Sequence, residues 1–372
     1  MTDRTQDLHY MTLALRLAAK GQGTTSPNPM VGAVVVKQGR IVGQGFHLRP
    51  GTPHAEILAL QRAGTQARGA TLYVTLEPCC HLKKRTPPCV PEVLRSGIRR
   101  VVIAMVDPNP AVKGKGTAAL RRAGLSVMVG IARSEAENLN KAYCHWMKTG
   151  RPYVTLKAGM TLDGQLATAS GESQWITGKK SREEVHRLRG EVDAVLVGLG
   201  TVLVDNPSLT ARVGSTLNKL ASRQPLRIVV DSRLRIPFKA LVLTQQGKAK
   251  TVIATTAAAS AARRVTLHKR GIEVLTLPSI QGHVSLPALL KELGRRGIIS
   301  LLLEGGGEVN AAMLKAKLID QVRLYMAPLL LGGQNAKGLI GGKSPARLAS
   351  AIALRHVVTR LVGHDLVIEG DL

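Results

Sequence analysis

A histidine, a glutamate and two proline-preceded cysteines fall within 36 positions, in Pro53-His54-Ala55-Glu56, Pro78-Cys79 and Pro87-Pro88-Cys89. Imidazole nitrogen and thiolate sulfur are donors that zinc takes. Three such ligands with one open position make a catalytic site, whereas a structural site closes with a fourth. Zinc held this way lowers the pKa of its water to about 7, so hydroxide is available at neutral pH. Glu56 then supplies a carboxylate that ferries protons without binding the metal. Each part has a plainer use, since a helix-start histidine is often structural and a lone cysteine packs as a small hydrophobe. Their coincidence favours zinc. Cys80 competes with Cys79 for ligation, and Pro78 directly before Cys79 favours the latter. Cys144, far along the chain in a helical pattern, reads as core.

The elements around these residues alternate. Apolar residues at helical spacing predict a helix over 9–20, and the Thr25–Pro29 run breaks it before a buried strand over 31–36. Pro53 suits the first turn of a helix carrying His54 and Glu56. Strands are expected over 71–76, 100–106 and 126–129, with helices over 115–123 and 134–147. The cysteines then fall at the end of one strand and on the next loop or helix start. This is an α/β arrangement with three layers. The pattern resets at Lys148-Thr149-Gly150-Arg151-Pro152, which divides the chain into domains 1–148 and 149–372. The second domain repeats strands at 153–158, 194–197, 226–230, 251–254, 298–303, 322–326 and 364–368. Helices are expected near 179–189, 285–293 and 308–316.

Composition narrows the classes. At 372 residues with 44% hydrophobic and 20% charged side chains, the chain is globular and long enough for two cores. Its formal charge of +28 suggests anionic partners. That excess divides +13 and +15 between 1–150 and 151–372, with no basic tail. Only 2% of residues are aromatic, which argues against stacking platforms for nucleic acid. Four cysteines are too few for a disulfide scaffold, and no apolar run reaches the ~18 residues of a membrane span. A polar N-terminus without a small-residue cleavage site does not read as a signal peptide. The expectation is a soluble, cytoplasmic protein with no membrane partner and no specific nucleic acid.

Several tracts together resemble a known family. Thr25-Ser26-Pro27-Asn28-Pro29 with Val31-Gly32, Gly51 with Pro53-His54-Ala55-Glu56, Leu76-Glu77-Pro78-Cys79, Arg85-Thr86-Pro87-Pro88-Cys89 and Asp107-Pro108-Asn109-Pro110 are similar to the pyrimidine deaminase of riboflavin biosynthesis. In the second half, Leu156-Lys157, Leu162-Asp163-Gly164, Gly171 to Thr177, Asp205-Asn206-Pro207 with Leu209-Thr210, and Leu303-Glu304-Gly305-Gly306 resemble the reductase half of the same bifunctional, RibD-type family. The resemblance implies a cytidine-deaminase-like domain followed by a dihydrofolate-reductase-like domain. It implies deamination of 2,5-diamino-6-(5-phosphoribosylamino)pyrimidin-4-one and then NADPH-dependent reduction of the ribosyl group, giving 5-amino-6-(5-phosphoribitylamino)uracil.

By the matched motifs, His54, Cys79 and Cys89 hold zinc and Glu56 is catalytic. Asn28, His47, His81, Arg85 and Asn109 fall at substrate positions; a guanidinium at Arg85 matches phosphate geometry. Gly159, Trp175, Thr201, Asp205, Ser232, Gly305, Gly306 and Gly307 fall at NADPH positions. Lys157, Ser173, Arg189, Leu209, Arg212 and Glu304 fall at the reductase substrate, with Lys157 and Asp205 the candidates for proton supply. Independent support comes from a strand running into Glu304-Gly305-Gly306-Gly307 and then a helix pattern. Backbone N–H groups at such a turn can cradle a pyrophosphate. The tract is not the G-x-G-x-x-G fingerprint, which speaks against an ordinary Rossmann domain. Self-association as a dimer or tetramer is also expected.

Two features depart from the family pattern: Cys80 stands where serine is usual, and nine residues separate Cys79 from Cys89 where eight are usual. A nucleic-acid deaminase shares His-Ala-Glu but spaces its cysteines as Pro-Cys-x-x-Cys, so the wide spacing disfavours that reading. A binding protein with merely structural zinc, or a lone deaminase with an inactive second half, are the remaining readings.

Overall fold

The computed structural model describes residues 3–81, 86–212 and 224–372. Two compact units are present, Met1–Gly150 and Arg151–Leu372. No helix among the described residues is long and apolar enough to cross a membrane.

Among the described residues unit 1 has five strands: β1 (Gly32–Lys37), β2 (Arg40–Phe46), β3 (Thr71–Leu76), β4 (Arg100–Met105) and β5 (Ser126–Val129). They lie in the order β2-β1-β3-β4-β5, with β1 antiparallel to both neighbours and β3, β4 and β5 parallel. Its helices are α1 (Asp3–Ala19), α2 (Ala55–Ala63), α3 (Cys89–Arg95), α4 (Lys115–Arg122), α5 (Arg133–Leu139) and α6 (Lys141–Thr149). Register shows that the sheet is covered on both faces. Gly45 pairs with Ala33 and meets α2, while the adjacent Gly32 meets Ala14 of α1. The expected three layers are therefore present.

Helix α2 lies so close to β2 that no side chain fits between them. A Cβ on Gly43 would stand 2.1 Å from the Ala59 carbonyl oxygen, and one on Gly45 would stand 2.6 Å from that of Ala55. Backbone on backbone leaves α2 one height above the sheet, and its first turn carries Glu56.

Two sequence expectations need correction here. The helix expected from Pro53 begins at Ala55, because His54 is extended (φ −73°, ψ 163°) and serves as the N-cap. The single helix expected over 134–147 is split at Asn140 into α5 and α6. Buried Asn140 holds both backbone groups of Met30: its Oδ1 accepts the N–H at 2.8 Å and its Nδ2 donates to the carbonyl at 2.9 Å. Strand β2 was not anticipated, since Gly43 and Gly45 obscure its alternation.

Unit 2 contains β6 (Tyr153–Thr161), β7 (Gln165–Ala167), β8 (Ala194–Gly198), β9 (Leu226–Val230), β10 (Thr251–Thr255), β11 (Glu273–Thr276), β12 (Ser279–Ile280), β13 (His283–Val284), β14 (Ser300–Leu303), β15 (Gln321–Ala327), β16 (Lys337–Gly338), β17 (Arg355–Val362) and β18 (Asp365–Asp371). Nine of these form one sheet, β11-β10-β9-β8-β14-β6-β15-β18-β17. The first seven are parallel, and a C-terminal hairpin adds the last two antiparallel. Helices α7 (Lys179–Glu191), α8 (Leu199–Asp205), α9 (Leu241–Thr244), α10 (Ala261–Lys269), α11 (Leu286–Arg295) and α12 (Gly307–Lys315) connect them.

Strand alternation sorts the core into two clusters. Leu196, Leu301 and Leu303 pack with Leu289, Leu290 and Leu293 of α11, while Val195, Val197 and Leu302 pack with Val202 of α8 and Leu267 of α10. Burial on both faces is what parallel strands require. The short helices α8 to α10 and strand β17 were not anticipated: they are too short for clear periodicity, or exposed along most of their length.

Replacing Gly45 with alanine should lower the stability of unit 1 by about 1–3 kcal/mol, because the overpacked contact is with backbone. The chain has two tryptophans, Trp146 and Trp175. Urea unfolding followed by Trp146 fluorescence in a Trp175→Phe background reads unit 1; an unchanged midpoint would contradict the packing argument.

Candidate active sites

In unit 1 the chemistry collects where parallel strands β3 and β4 end. Beyond β3, Glu77 is buried and accepts three backbone N–H groups, from Asp107 (3.2 Å), Gly114 (2.9 Å) and Thr117 (2.8 Å). It thus ties together the loop after β4, the start of α4 and the chain entering Cys79. The first amides of α3 have no partner within their helix. Those of Cys89 and Val90 donate to the Cys79 carbonyl at 3.0 and 3.2 Å, which brings the two cysteines together. The Cys89 N–H also lies 3.4 Å from the Cys79 sulfur.

His54 completes the group. Its Nδ1 lies 3.2 Å from Cys89 Sγ and 3.6 Å from Cys79 Sγ, and all three donor atoms fall within 4.8 Å of one another. Tetrahedral zinc with bonds near 2.0–2.3 Å sets its ligand atoms roughly 3.5–3.8 Å apart, so the three residues fit that ion. The other ring nitrogen, Nε2, is 3.0 Å from Thr86 Oγ1. Glu56 is buried, and its Oε2 has no hydrogen-bond partner among the described residues. Burial raises its pKa despite the opposing attraction of His54. A carboxyl left in this state takes up a proton readily and has an oxygen to spare for it.

His54, Glu56 and Cys79 border a cavity of about 460 Å³ that Asn28, His47, His81, Thr86 and Asn109 also line. Four of the five residues expected at the pyrimidine and its phosphate therefore share one cavity, and Arg85 lies outside the described residues. His47 Nδ1 faces the Pro53 carbonyl at 3.4 Å, and its Nε2 lies 3.0 Å from Asn28 Nδ2. This pair of contacts suits a neutral ring that donates through Nδ1 and accepts through Nε2. Burial and nearby His54 lower the His47 pKa, which favours that form.

Sequence reasoning missed Asp107 and Tyr143 in the same wall. Burial pushes Asp107 up to about 6, although the Asn109 N–H and the Tyr143 hydroxyl, each 2.9 Å away, favour its charged form. The Asp107-Pro108-Asn109-Pro110 tract was the available signal. Nothing in the sequence brought Tyr143 to it, since that contact spans 36 positions.

In unit 2, the cofactor candidates gather beyond the carboxyl ends of parallel strands, where open α/β sheets bind ligands. Thr201 follows β8, Ser232 follows β9 and Glu304 to Gly307 follow β14. The three glycines are not alike. A Cβ on Gly307 would meet the Gly338 carbonyl at 2.9 Å, and one on Gly305 would meet Asn310 Oδ1 at 2.9 Å, so both have packing reasons to be glycine. Gly306 is the open one, with Thr201 Oγ1 3.5 Å from its Cβ position. It caps α12, and the first amides of a helix are donors that an anion can take up. Ser232 Oγ accepts the Val284 N–H at 3.1 Å, and Gly159 has Thr177 close above it. Trp175 is 69% exposed, with the Arg182 guanidinium 4.5 Å from its ring centre.

The substrate candidates fall into two groups. Ser173 donates to Asp205 at 2.9 Å, and Asp205 borders a cavity of about 430 Å³ with Gln174, Arg212 and Lys248. Leu209 is buried in the loop beside it, in the left-handed conformation (φ 52°). The second group is a largely shielded triad, with side-chain exposures of 16% for Lys157, 13% for Arg189 and 7% for Glu304. Glu304 receives Lys157 Nζ at 2.9 Å and Arg189 through Nε at 2.6 Å and Nη2 at 2.9 Å. Arg189 was expected at a sugar phosphate; here two of its nitrogens are committed to Glu304, and a third lies 3.4 Å from the Thr210 carbonyl.

Comparison with known proteins follows the same division. The family description "Cytidine and deoxycytidylate deaminase zinc-binding region" matches residues 4–105, and "RibD C-terminal domain" matches residues 152–368. The chain is 44% identical to the riboflavin biosynthesis protein RibD of Escherichia coli over 368 residues, covering 97% of this chain and 98% of that one. It is 45% identical to the corresponding Bacillus amyloliquefaciens protein over 96% of this chain and 94% of the other. Among solved structures, Acinetobacter baumannii RibD superimposes over 100% of both chains with a TM-score of 0.90 and 36% identity. A Thermotoga maritima deaminase/reductase does so over 99% of both, with a TM-score of 0.84 and 35% identity.

Replacing Glu304 with glutamine should destabilise unit 2 by about 3–5 kcal/mol, since Arg189, only 13% exposed at its side chain, is then left without that counter-charge. Native-state hydrogen exchange at β14 amides measures it. Burial alone would raise the Glu304 pKa, but Arg189 and Lys157 hold it well below the carboxylate range. Its contribution is therefore present at neutral pH and lost as pH falls through and below that range. The glutamine variant should lose that part of the acid-side slope.

Proposed function

The chain belongs to the RibD family of riboflavin biosynthesis proteins, and from that premise we propose the residues that carry each of its two reactions. The deaminase half removes the amine from 2,5-diamino-6-(5-phosphoribosylamino)pyrimidin-4-one. The reductase half converts the ribosyl group of the resulting uracil to ribityl, using NADPH. The single observation that carries the first assignment is the meeting of His54 Nδ1, Cys79 Sγ and Cys89 Sγ in the unit where Glu56 Oε2 is buried with no hydrogen-bond partner among the described residues.

His54, Cys79 and Cys89 hold zinc. When bound, zinc supplies a hydroxide at neutral pH to attack the ring carbon bearing the amine. Glu56 accepts the water's proton at Oε2 and returns it to the departing nitrogen. Its raised pKa suits both halves of that exchange. Asn28 and His47 form a hydrogen-bonded pair on one wall with Asn109 on another, and they orient the pyrimidine. His81 and Arg85 serve the phosphate side.

In unit 2, Gly306, Thr201 and the first amides of α12 hold the cofactor's pyrophosphate; Trp175, Ser232, Gly159 and Asp205 complete its contacts. NADPH supplies the hydride for C1 of the sugar. Ser173, Leu209 and Arg212 position the phosphorylated substrate beside it. Lys157, fixed by Glu304 and through it by Arg189, presents an ammonium group as the proton source at the sugar ring oxygen.

The molecule works as a homo-oligomer. Strand β17 ends the nine-stranded sheet, and along it Val358 is 60% and Leu361 73% exposed. An open apolar edge of this kind is what a second copy covers.

Ammonia release and NADPH oxidation followed separately on one sample, with zinc measured, test the assignment. Glu56→Gln should lower deamination by roughly 10²–10⁴ while zinc content and reduction of the deaminated substrate persist. Full deamination by that variant would remove Glu56 from its role. Val358→Lys with Leu361→Lys should shift the sedimentation coefficient to that of a monomer; unchanged sedimentation would exclude β17 as the interface.

A further inference from the structure

The three zinc-site donors account for Nδ1 of His54 and leave its other nitrogen to be explained. We infer that Thr86 is a positioning residue for the metal site, holding the His54 ring so that Nδ1 faces the two thiols. The inference rests on the deaminase reading of unit 1.

His54 is the N-cap of α2: its carbonyl accepts the Leu58 N–H at 3.2 Å, but its side chain makes no capping bond, so the helix does not set its ring orientation. Thr86 Oγ1 lies 3.0 Å from Nε2, on the far side of the ring from Cys79 and Cys89. With Nδ1 directed at a cation, the ring proton must sit on Nε2. There it donates to the threonine oxygen, which fixes both tautomer and orientation. Outer partners of this kind affect metal affinity through the ligand they hold. Thr86 stands three positions before Cys89, so one short segment delivers a ligand and the group that aims another. Thr86 also borders the cavity, and contact with substrate is the competing role that the test must separate.

The test compares zinc affinity in the full-length wild type, Thr86→Val and Thr86→Ser by competition with a chromophoric chelator. The valine variant keeps the shape and loses the acceptor; it should bind zinc about 10–100-fold more weakly. The serine variant keeps the oxygen and should stay near wild type. Urea unfolding with zinc removed should give all three the same unit 1 midpoint, because the role concerns the metal-bound ring. Wild-type zinc affinity in the valine variant overturns the inference, even if KM for the pyrimidine rises. Equal losses in the valine and serine variants also overturn it, as does a lowered zinc-free midpoint. Failure of the wild type to bind zinc would instead overturn the deaminase reading.

Discussion

A carboxylate taken out of water must be given hydrogen bonds, a counter-charge or a proton, and both units are organised by how they meet that demand. Glu77 receives three backbone amides and thereby joins the loops that flank Cys79. Glu304 receives an arginine and a lysine, which sets Lys157 in place. Asp7 receives Arg100 and Tyr73, and Asp365 receives the Gly178 amide and Ser181. Glu56 is the contrasting case: one of its oxygens is buried without a partner among the described residues. The fold thus gives several buried carboxylates hydrogen-bond donors or a counter-charge and leaves one oxygen of Glu56 without either among the described residues.

The large positive charge is spread over uses of different kinds. Arg189 is spent on Glu304 inside unit 2. Fully buried Arg227 faces the backbone carbonyls of Ser208, Gln245 and Ala249, and burial lowers its pKa to about 10. It ties the loop after α8 to the segment after α9, and Ser208 and Gln245 from those two segments border the same cavity as Asp205. Others, such as Arg295 and Arg133, form exposed pairs one helical turn apart, which contribute little. Net charge alone therefore says little about what the protein binds.

Parallel strands give both sites their location. In unit 1, β3 and β4 end at Glu77 and Asp107; in unit 2, β8, β9 and β14 end at Thr201, Ser232 and the 304–307 turn, the cofactor candidates and one member of the triad. The same geometry explains which elements were legible. Buried parallel strands read as continuous apolar runs, and those over 71–76 and 226–230 match the structure in full, as does the partly exposed edge strand over 126–129. Strand β2 hid behind its glycines, and β17 is exposed along most of its length and breaks the inside-outside pattern. Asn140 split a helix for a contact with Met30, 110 positions away, that no local pattern encodes.

Residue types and spacing alone were enough to pick out the zinc donors and Glu56, because His, Glu and Pro-Cys carry their chemistry with them. Motif resemblance added the two activities, with Asn28, His47, His81 and Asn109 of the first cavity and Asp205 and Arg212 of the second. What only the tertiary structure decided is partnership. It showed that Arg189 holds Glu304, that Gly305 and Gly307 are glycine for packing while Gly306 faces open space, and that Thr86 stands behind His54. The physical reason is that desolvation and close approach depend on atoms brought together across long sequence separations. A side chain's chemistry is local, whereas the group that satisfies it is chosen by the fold.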